Sequence, residues 1–332
     1  MYIQMFKAIA WLLLLFTIPH ISVGKQSIPA KAQITSISIK TPPPTTIGEQ
    51  TQSTNENLRV APVFLQLRQL LYSDRSLKEV ANEIPELHKH LADLLKHNPN
   101  FKGSIPELSK AIADAVLLIR AGNPKQANSI LESAKDTLKG YCDYWIALAY
   151  AKQQLGYNLE ARSCIRQIFT LPDLESRDLL SAWSILRELG ETPHNNAANE
   201  VLGVIIEIGV EDSAAIVAGY ADGSARLFYG PGGGIVLPIE EIPKEIREAA
   251  QQLIRSAQSM VGQMPLEKER QLPKSGRIRF VVLTGGGVHI AEEELGSDFV
   301  LKDKKSKFNR VWEATNALMT GLREYTSSTH KQ

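Results

Sequence analysis

The sequence predicts a chain with two folded parts: an all-α region of repeated helices, then an α+β domain with an antiparallel-rich sheet and two helices. Three observations carry that prediction. Apolar residues recur at three- and four-residue spacings from Val60 to about Glu200. Gly122, Gly156 and Gly190 stand 34 residues apart inside that region. From Val201 the pattern changes to short runs rich in Val, Ile and Leu, separated by glycine turns.

A chain of 332 residues with 43% hydrophobic content is long enough for two cores and a tail. Its 37 Lys+Arg against 36 Asp+Glu leave a net charge of +1, which offers no basic face for phosphate neutralisation, so no nucleic acid partner is expected. The organisation reads as a signal peptide or N-terminal anchor over 1–24 and a disordered Ser/Thr/Pro-rich linker over 25–58. A helical domain over 59–198, an α+β domain over 199–326 and a disordered tail over 327–332 follow.

The first segment is an address. Lys7 precedes an apolar run from Ala8 to Ile18, Pro19 and His20 break the run, and Ser22-Val23-Gly24 supply small residues for cleavage. An apolar helix of that length rises about 16 Å, roughly half of a hydrocarbon core, which is short for a permanent span. Export to the periplasm or cell envelope is expected, with anchoring by residues 8–18 as the alternative and membrane proximity as its consequence. From Lys25 to Asn57 there is no aromatic residue, and Thr41-Pro42-Pro43-Pro44-Thr45-Thr46 favours an extended path. Such a stretch buries too little apolar surface to offset chain entropy and reads as a tether.

Helices are expected in Val60–Tyr72 and Ser76–His97, capping the repeats, with Pro85 starting a new helix or kinking one. Ser104-Ile105-Pro106-Glu107 has the form of a capping box. In the repeats, each glycine opens the turn between two helices, where a positive φ is needed. Ala127 and Ala161, also 34 apart, supply the small side chain at which the second helix approaches the first. The run Trp145-x-x-Leu148-Ala149…Leu155-Gly156…Ala161…Pro172 resembles the tetratricopeptide pattern, whose period is 34. The resemblance covers about residues 108–190. A weaker copy precedes, with Ala111 and Asp114 at the usual Trp and Leu positions, and a partial copy follows, with Trp183 shifted along its helix. It implies a TPR-like stack whose groove binds a protein or peptide. Lys152, Arg162 and Arg166 are its candidate partner-binding residues, and a solvated face explains them equally well. Gly122, Gly156, Gly190, Ala127, Ala161, Trp145 and Leu148 are the repeat-structural set.

The two cysteines, Cys142 and Cys164, fall on the two helices of the best repeat. Cys164 is displaced by about 9 Å along the axis from the residue opposite Cys142, beyond disulfide reach. Free or buried thiols are expected.

In the C-terminal part, Val201–Gly209, Ala214–Tyr220, Ser224–Tyr229 and Ile235–Ile239 read as strands, with Asp222-Gly223 as a type I′ hairpin turn. A helix from about Pro243 to Gly262, strands at Arg277–Leu283 and Val288–Ala291, and a helix from about Lys307 to Tyr325 complete the order. The expected result is a sheet with two helices on one face, able to fold without the repeats. The runs 202–209 and 218–226, with Leu283, Thr284, Gly287 and His289, are similar to an uncharacterised bacterial protein family. That likeness implies a fold unit and no reaction.

No catalytic, metal-binding or cofactor-binding constellation stands out, and no cofactor is expected. Gly230–Gly234 and Gly285–Gly287 join strands rather than leading into a helix, so they read as hairpin turns and not phosphate loops. His289 has no acidic partner fixed by spacing and is expected to be structural or exposed, while Asp222 and Arg226 read as turn and surface residues. Lys302-Asp303-Lys304-Lys305-Ser306-Lys307 is a basic loop, expected to be solvated. The leading function is an exported interaction protein. An enzyme with an unrecognised site in the sheet domain and a structural envelope component are the alternatives.

Overall fold

The computed structural model describes residues 62–97, 107–210, 213–230, 232–237, 239–267, 271–296 and 299–329. The N-terminal segment, the tether and the 104–107 capping box therefore fall wholly or largely outside the described residues.

The described chain divides into two compact units, and the change of period near Val201 marks only one of the boundaries between them. Among the described residues, one unit combines 62–71 with 203–282 and 289–329; the other spans Tyr72–Leu202 and takes in Leu283–Val288. The helical unit is thus an insertion between the first described helix, α1 (Pro62–Tyr72), and the first strand.

In the helical unit, α2 (Leu77–His97) is followed by α3 (Glu107–Arg120), α4 (Pro124–Ser133), the short α5 (Lys135–Leu138), α6 (Cys142–Gln154), α7 (Asn158–Ile168), α8 (Ser176–Glu188) and the short α9 (Asn195–Asn199). The start of α2 is a reciprocal capping box. Glu79 accepts from the Ser76 amide at 2.8 Å, and the Glu79 amide donates to Ser76 Oγ at 3.2 Å. Pro85 lies inside α2 and begins no new helix.

The three glycine turns share one geometry. Gly122, Gly156 and Gly190 have φ of +80°, +82° and +83°. After each, two backbone bonds recur: Gly122 N–H to Ile119 and Asn123 N–H to Leu118, Gly156 to Gln153 and Tyr157 to Lys152, Gly190 to Arg187 and Glu191 to Leu186. This is the Schellman end, whose crossed bonds satisfy the last helical carbonyls and need a residue at ease with positive φ. A Cβ at any of the three would meet nothing within 4 Å, so the requirement is one of backbone conformation alone.

Helix α6 is the centre of this unit. Residues Tyr144 to Ala151 are buried without a break, as expected of a helix covered on all sides. It packs against α2, α3, α4 and α7. Ala127 and Ala161 are fully buried, as are Trp145 and Leu148 nearly so, and Trp145 Nε1 donates to the Lys139 carbonyl at 2.8 Å.

In the other unit, β1 (Val201–Val210), β2 (Ser213–Tyr220), β3 (Ala225–Tyr229), β4 (Gly234–Val236), β5 (Arg277–Thr284) and β6 (Gly287–Glu294) form one antiparallel sheet in the order β4-β3-β2-β1-β5-β6. Helices α10 (Lys244–Gln258) and α11 (Asn309–Thr329) pack together, with α10 against β2 and β3. Gly219 marks the close approach, since a Cβ there would meet Leu253 and Leu318 at 3.2 and 3.3 Å. Phe308, just before α11, stacks on Phe280 with centroids 4.7 Å apart.

Two expectations change here. The Asp222-Gly223 turn is not type I′, which needs positive φ at both central residues. Only Gly223 has one, at +85°. Gly223 N–H donates to Tyr220, and Tyr220 N–H to Ser224, the pattern of a type I turn closed by a left-handed glycine. Asp222 Oδ1 accepts the Ser224 amide at 2.7 Å and holds that form. The larger change concerns α1, which was expected to cap the repeats. It packs instead in the sheet unit, where Tyr220 Oη donates to the Leu71 carbonyl at 2.7 Å. Phe64, Leu67 and Leu71 are buried. Register puts Tyr220 on the same face as Glu207, because Gly203 pairs with Tyr220 and Glu207 with Ile216. The sheet therefore has a helix on the face carrying Tyr220 and Glu207, besides the α10–α11 pair that covers Gly219.

Candidate functional site

The candidate partner-binding residues do not gather in one groove. Lys152, at the end of α6, pairs with Glu132 of α4 at 2.7 Å, and Arg166 of α7 pairs with Glu191 at 2.9 Å. Both link one helix pair to the next. Arg162 is half-buried on α7, beside fully buried Ala161. Their common origin is geometric: a polar residue at the seam between successive pairs meets an opposite charge on the neighbouring pair.

The face formed by the first helices of the three pairs, α3, α6 and α8, is covered by the chain itself. Helix α2 packs on α3 and α6 through Leu77, Val80, Ala81 and Ile84, all buried and spaced for one helical stripe. The Leu77 amide donates to Glu188 of α8 at 2.7 Å. Asp74 accepts from Ser184 at 2.9 Å and from Arg187 at 3.0 Å, both on α8. Burial lowers the Arg187 pKa, and the adjacent Asp74 carboxylate opposes that shift.

Among its described residues the helical unit exposes four large apolar side chains: Leu117 on α3, Ile130 on α4, Tyr157 in the turn after α6, and Leu159 on α7, the last 69% exposed. Leu117, Tyr157 and Leu159 all lie within five residues of a glycine turn. The repeat itself explains two of these. Residues 34 positions later than Leu117 and Ile130 are Ala151 and Cys164, both buried. The first pair has no described pair before it to cover the equivalent positions. Cys142 is partly exposed and Cys164 buried, neither in a disulfide, and burial pushes the Cys164 thiol up to about 11.

The sheet unit holds a buried charge cluster that sequence reading missed. Glu207 on β1 is fully buried. Arg68 of α1 donates to it through Nε at 2.5 Å and Nη2 at 3.0 Å, and Arg279 of β5 through Nη1 at 3.3 Å. Arg279 Nε also donates to Glu292 at 2.8 Å, and both arginines reach the Gln271 carbonyl. The forked geometry matches a carboxylate with paired donors. The signal in the sequence was a lone Glu within an otherwise apolar strand; its partners lie 139 and 72 residues away. Glu207, Arg68 and Arg279 are buried while Glu292 reaches solvent, and each carboxylate is matched by a guanidinium, so the cluster reads as a fastening for α1.

The remaining sequence candidates are placed as follows. His289 is buried on β6, with Nδ1 3.2 Å from the Met264 carbonyl, which accepts when Nδ1 carries the proton. Arg226, expected on the surface, is buried on β3 with its guanidinium 5.6 Å from the Tyr220 ring. Gly285 and Gly286 make a tight turn whose Gly286 amide donates to the Ala198 carbonyl at 3.1 Å. A Cβ on either would strike the backbone of α9, at 2.3 and 2.5 Å, so glycine is required there by close approach. Among the described residues no group of three His, Cys, Asp or Glu is placed to hold a metal ion. No described helix is long and apolar enough to cross a membrane.

No family model, no curated protein and no solved structure matches this chain.

Proposed function

We propose that this chain is an exported interaction protein whose TPR-like helical unit binds a protein partner. The observation that carries the reading is the set of exposed apolar side chains on the helix pairs, Leu117, Ile130, Tyr157 and Leu159. Aromatic and aliphatic side chains held out by rigid elements are what a partner's surface buries. The TPR-like description is supported by the same glycine-ended turn at a 34-residue interval and by the buried Trp145, Leu148, Ala127 and Ala161. The structure alters where binding is sought. With α2 on the first helices, the partner surface moves from the groove to the turn-side and outer faces of the pairs. Export is the part of the reading that rests on residues 1–24 alone.

The test is crosslinking in intact cells with tagged full-length protein and with Tyr157→Ser/Leu159→Ser. These side chains are exposed, so the substitutions should leave thermal stability within about 0.5 kcal/mol. A crosslinked protein recovered with the parent chain and lost with the double variant supports the reading. The same recovery from both removes this surface from consideration.

A further inference from the structure

The 34-residue repeat shows what lies over Leu117 and Ile130 when a pair stands inside the stack. Their counterparts one repeat on, Ala151 of α6 and Cys164 of α7, are buried. The second helix of the preceding pair lies there. Helix α4 packs against α6, and its Glu132 reaches Lys152, next to Ala151, at 2.7 Å. The Cys164 thiol feels the charges of Glu132 and of Lys135, both on the preceding helices. In the same way α7 packs against α8. Each pair is thus covered by the second helix of the pair before it. On the first pair, α3 and α4, that face leaves Leu117 46% and Ile130 38% exposed.

An end repeat that meets only water carries a polar outer face. This one is apolar at its centre. Where the inner pair has Ala151, Lys152 and Cys164, the end pair has Leu117, Leu118 and Ile130. The seam lysine is therefore missing, and larger apolar side chains take the place of small ones. Around them the face is balanced in charge. In line with Leu117 on α3 are exposed Lys110, Asp114 and Ala121, and in line with Ile130 on α4 are exposed Gln126 and Ser133.

We propose that this end of the helical unit binds a second copy of the chain, first pair to first pair across a two-fold axis. Two observations select a copy. An apolar face with one Lys and one Asp meets its own image without net like-charge repulsion, and the two signs are self-complementary. Head-to-tail stacking, in turn, lacks its covering helix. The second helix of the last pair is the five-residue α9, against 10 residues in α4 and 11 in α7. Contact therefore closes at a dimer and does not run on as a filament. A face two helices wide is small, so the dimer is weak and forms as concentration rises. It rests on the reading that the exposed apolar side chains of this unit are binding surface. Leu117 and Ile130 go to a copy, while Tyr157 and Leu159 stay with the other partner.

Sedimentation velocity of the full-length chain over a concentration series is the test. The parent should pass from monomer to dimer and stop there. Leu117→Glu/Ile130→Glu and Leu117→Lys/Ile130→Lys each set like charges against one another, and should raise the dissociation constant at least about tenfold. Mixed one to one, these two should associate again, because only a face that meets itself makes partners of the two signs. Thermal melting checks that each is folded, and Leu117→Ser/Ile130→Ser repeats the loss should a charged variant melt early. A parent that stays monomeric overturns the proposal. So does growth beyond the dimer, association that the variants keep, or a mixture of the folded Glu and Lys variants that stays apart. Association lost in Tyr157→Ser/Leu159→Ser alone also overturns it, yet leaves the binding-surface reading standing. That reading fails separately, by unchanged crosslinking in cells.

Discussion

Replacing Arg68 by Met tests the most consequential feature of the fold, the fastening of α1 to the sheet. Arg68 and Glu207 are 7% and 0% exposed at the side chain. Methionine fills similar volume and removes both donors to the carboxylate. Breaking a buried pair by removing one partner costs about 3–5 kcal/mol, because the other charge is left without compensation. Arg279 stays 3.3 Å from Glu207, so the lower end applies, about 3 kcal/mol. The assay is hydrogen exchange of the full chain, read by peptide. A loss of that size speeds exchange through sheet-unit opening roughly 10²-fold, so β1 and β5 should lose protection while α6 and α7 keep theirs. If α1 caps the repeats instead, the loss appears in the helices. Unchanged β1 and β5 would refute the assignment of Arg68 to the sheet. The same reasoning revises the expectation that the C-terminal part folds alone. A fragment over 195–325 lacks the helix covering Glu207, and should bind a hydrophobic dye unless residues 62–72 are added in trans or by a linker.

Other expectations follow from single positions. Gly156→Ala places a Cβ at φ +82° with open space around it, so its cost is backbone strain alone, about 1–2 kcal/mol by thermal melting. Ala161→Leu should destabilise by about 1–3 kcal/mol through overpacking, since Ala161 is fully buried; a melting point equal to that of Arg162→Ala would mean that Ala161 does not face its partner helix. At Cys164 the folded thiol is raised from 9.0 to about 11. The unfolded chain therefore ionises first as pH rises, and stability intact below pH 9 should fall between pH 9 and about 11. Cys164→Ala should flatten that part of the stability profile, and Cys142 should react first with a thiol reagent at pH 8.

The sequence alone determined what is decided locally. Apolar spacing and turn residues act within windows of four to eight residues, so the helices, most strands, the three glycine turns and the helix-to-strand change at Val201 were all legible there. The buried alanines followed too, because a fixed period repeats the same packing requirement. What only the tertiary structure decided is which layer an element joins. Helix α1 has an amphipathic stripe that would serve on a repeat or on a sheet, and the choice rests on an Arg68–Glu207 pair 139 residues apart in the chain. The polar residues Lys152 and Arg166 looked available for a partner until the stack brought Glu132 and Glu191 beside them. Arg226 looked superficial until its strand was enclosed. In each case the residue's chemistry is the same in the sequence and in the fold. Its neighbours are not, because burial and pairing are properties of segments that meet only when the chain closes on itself.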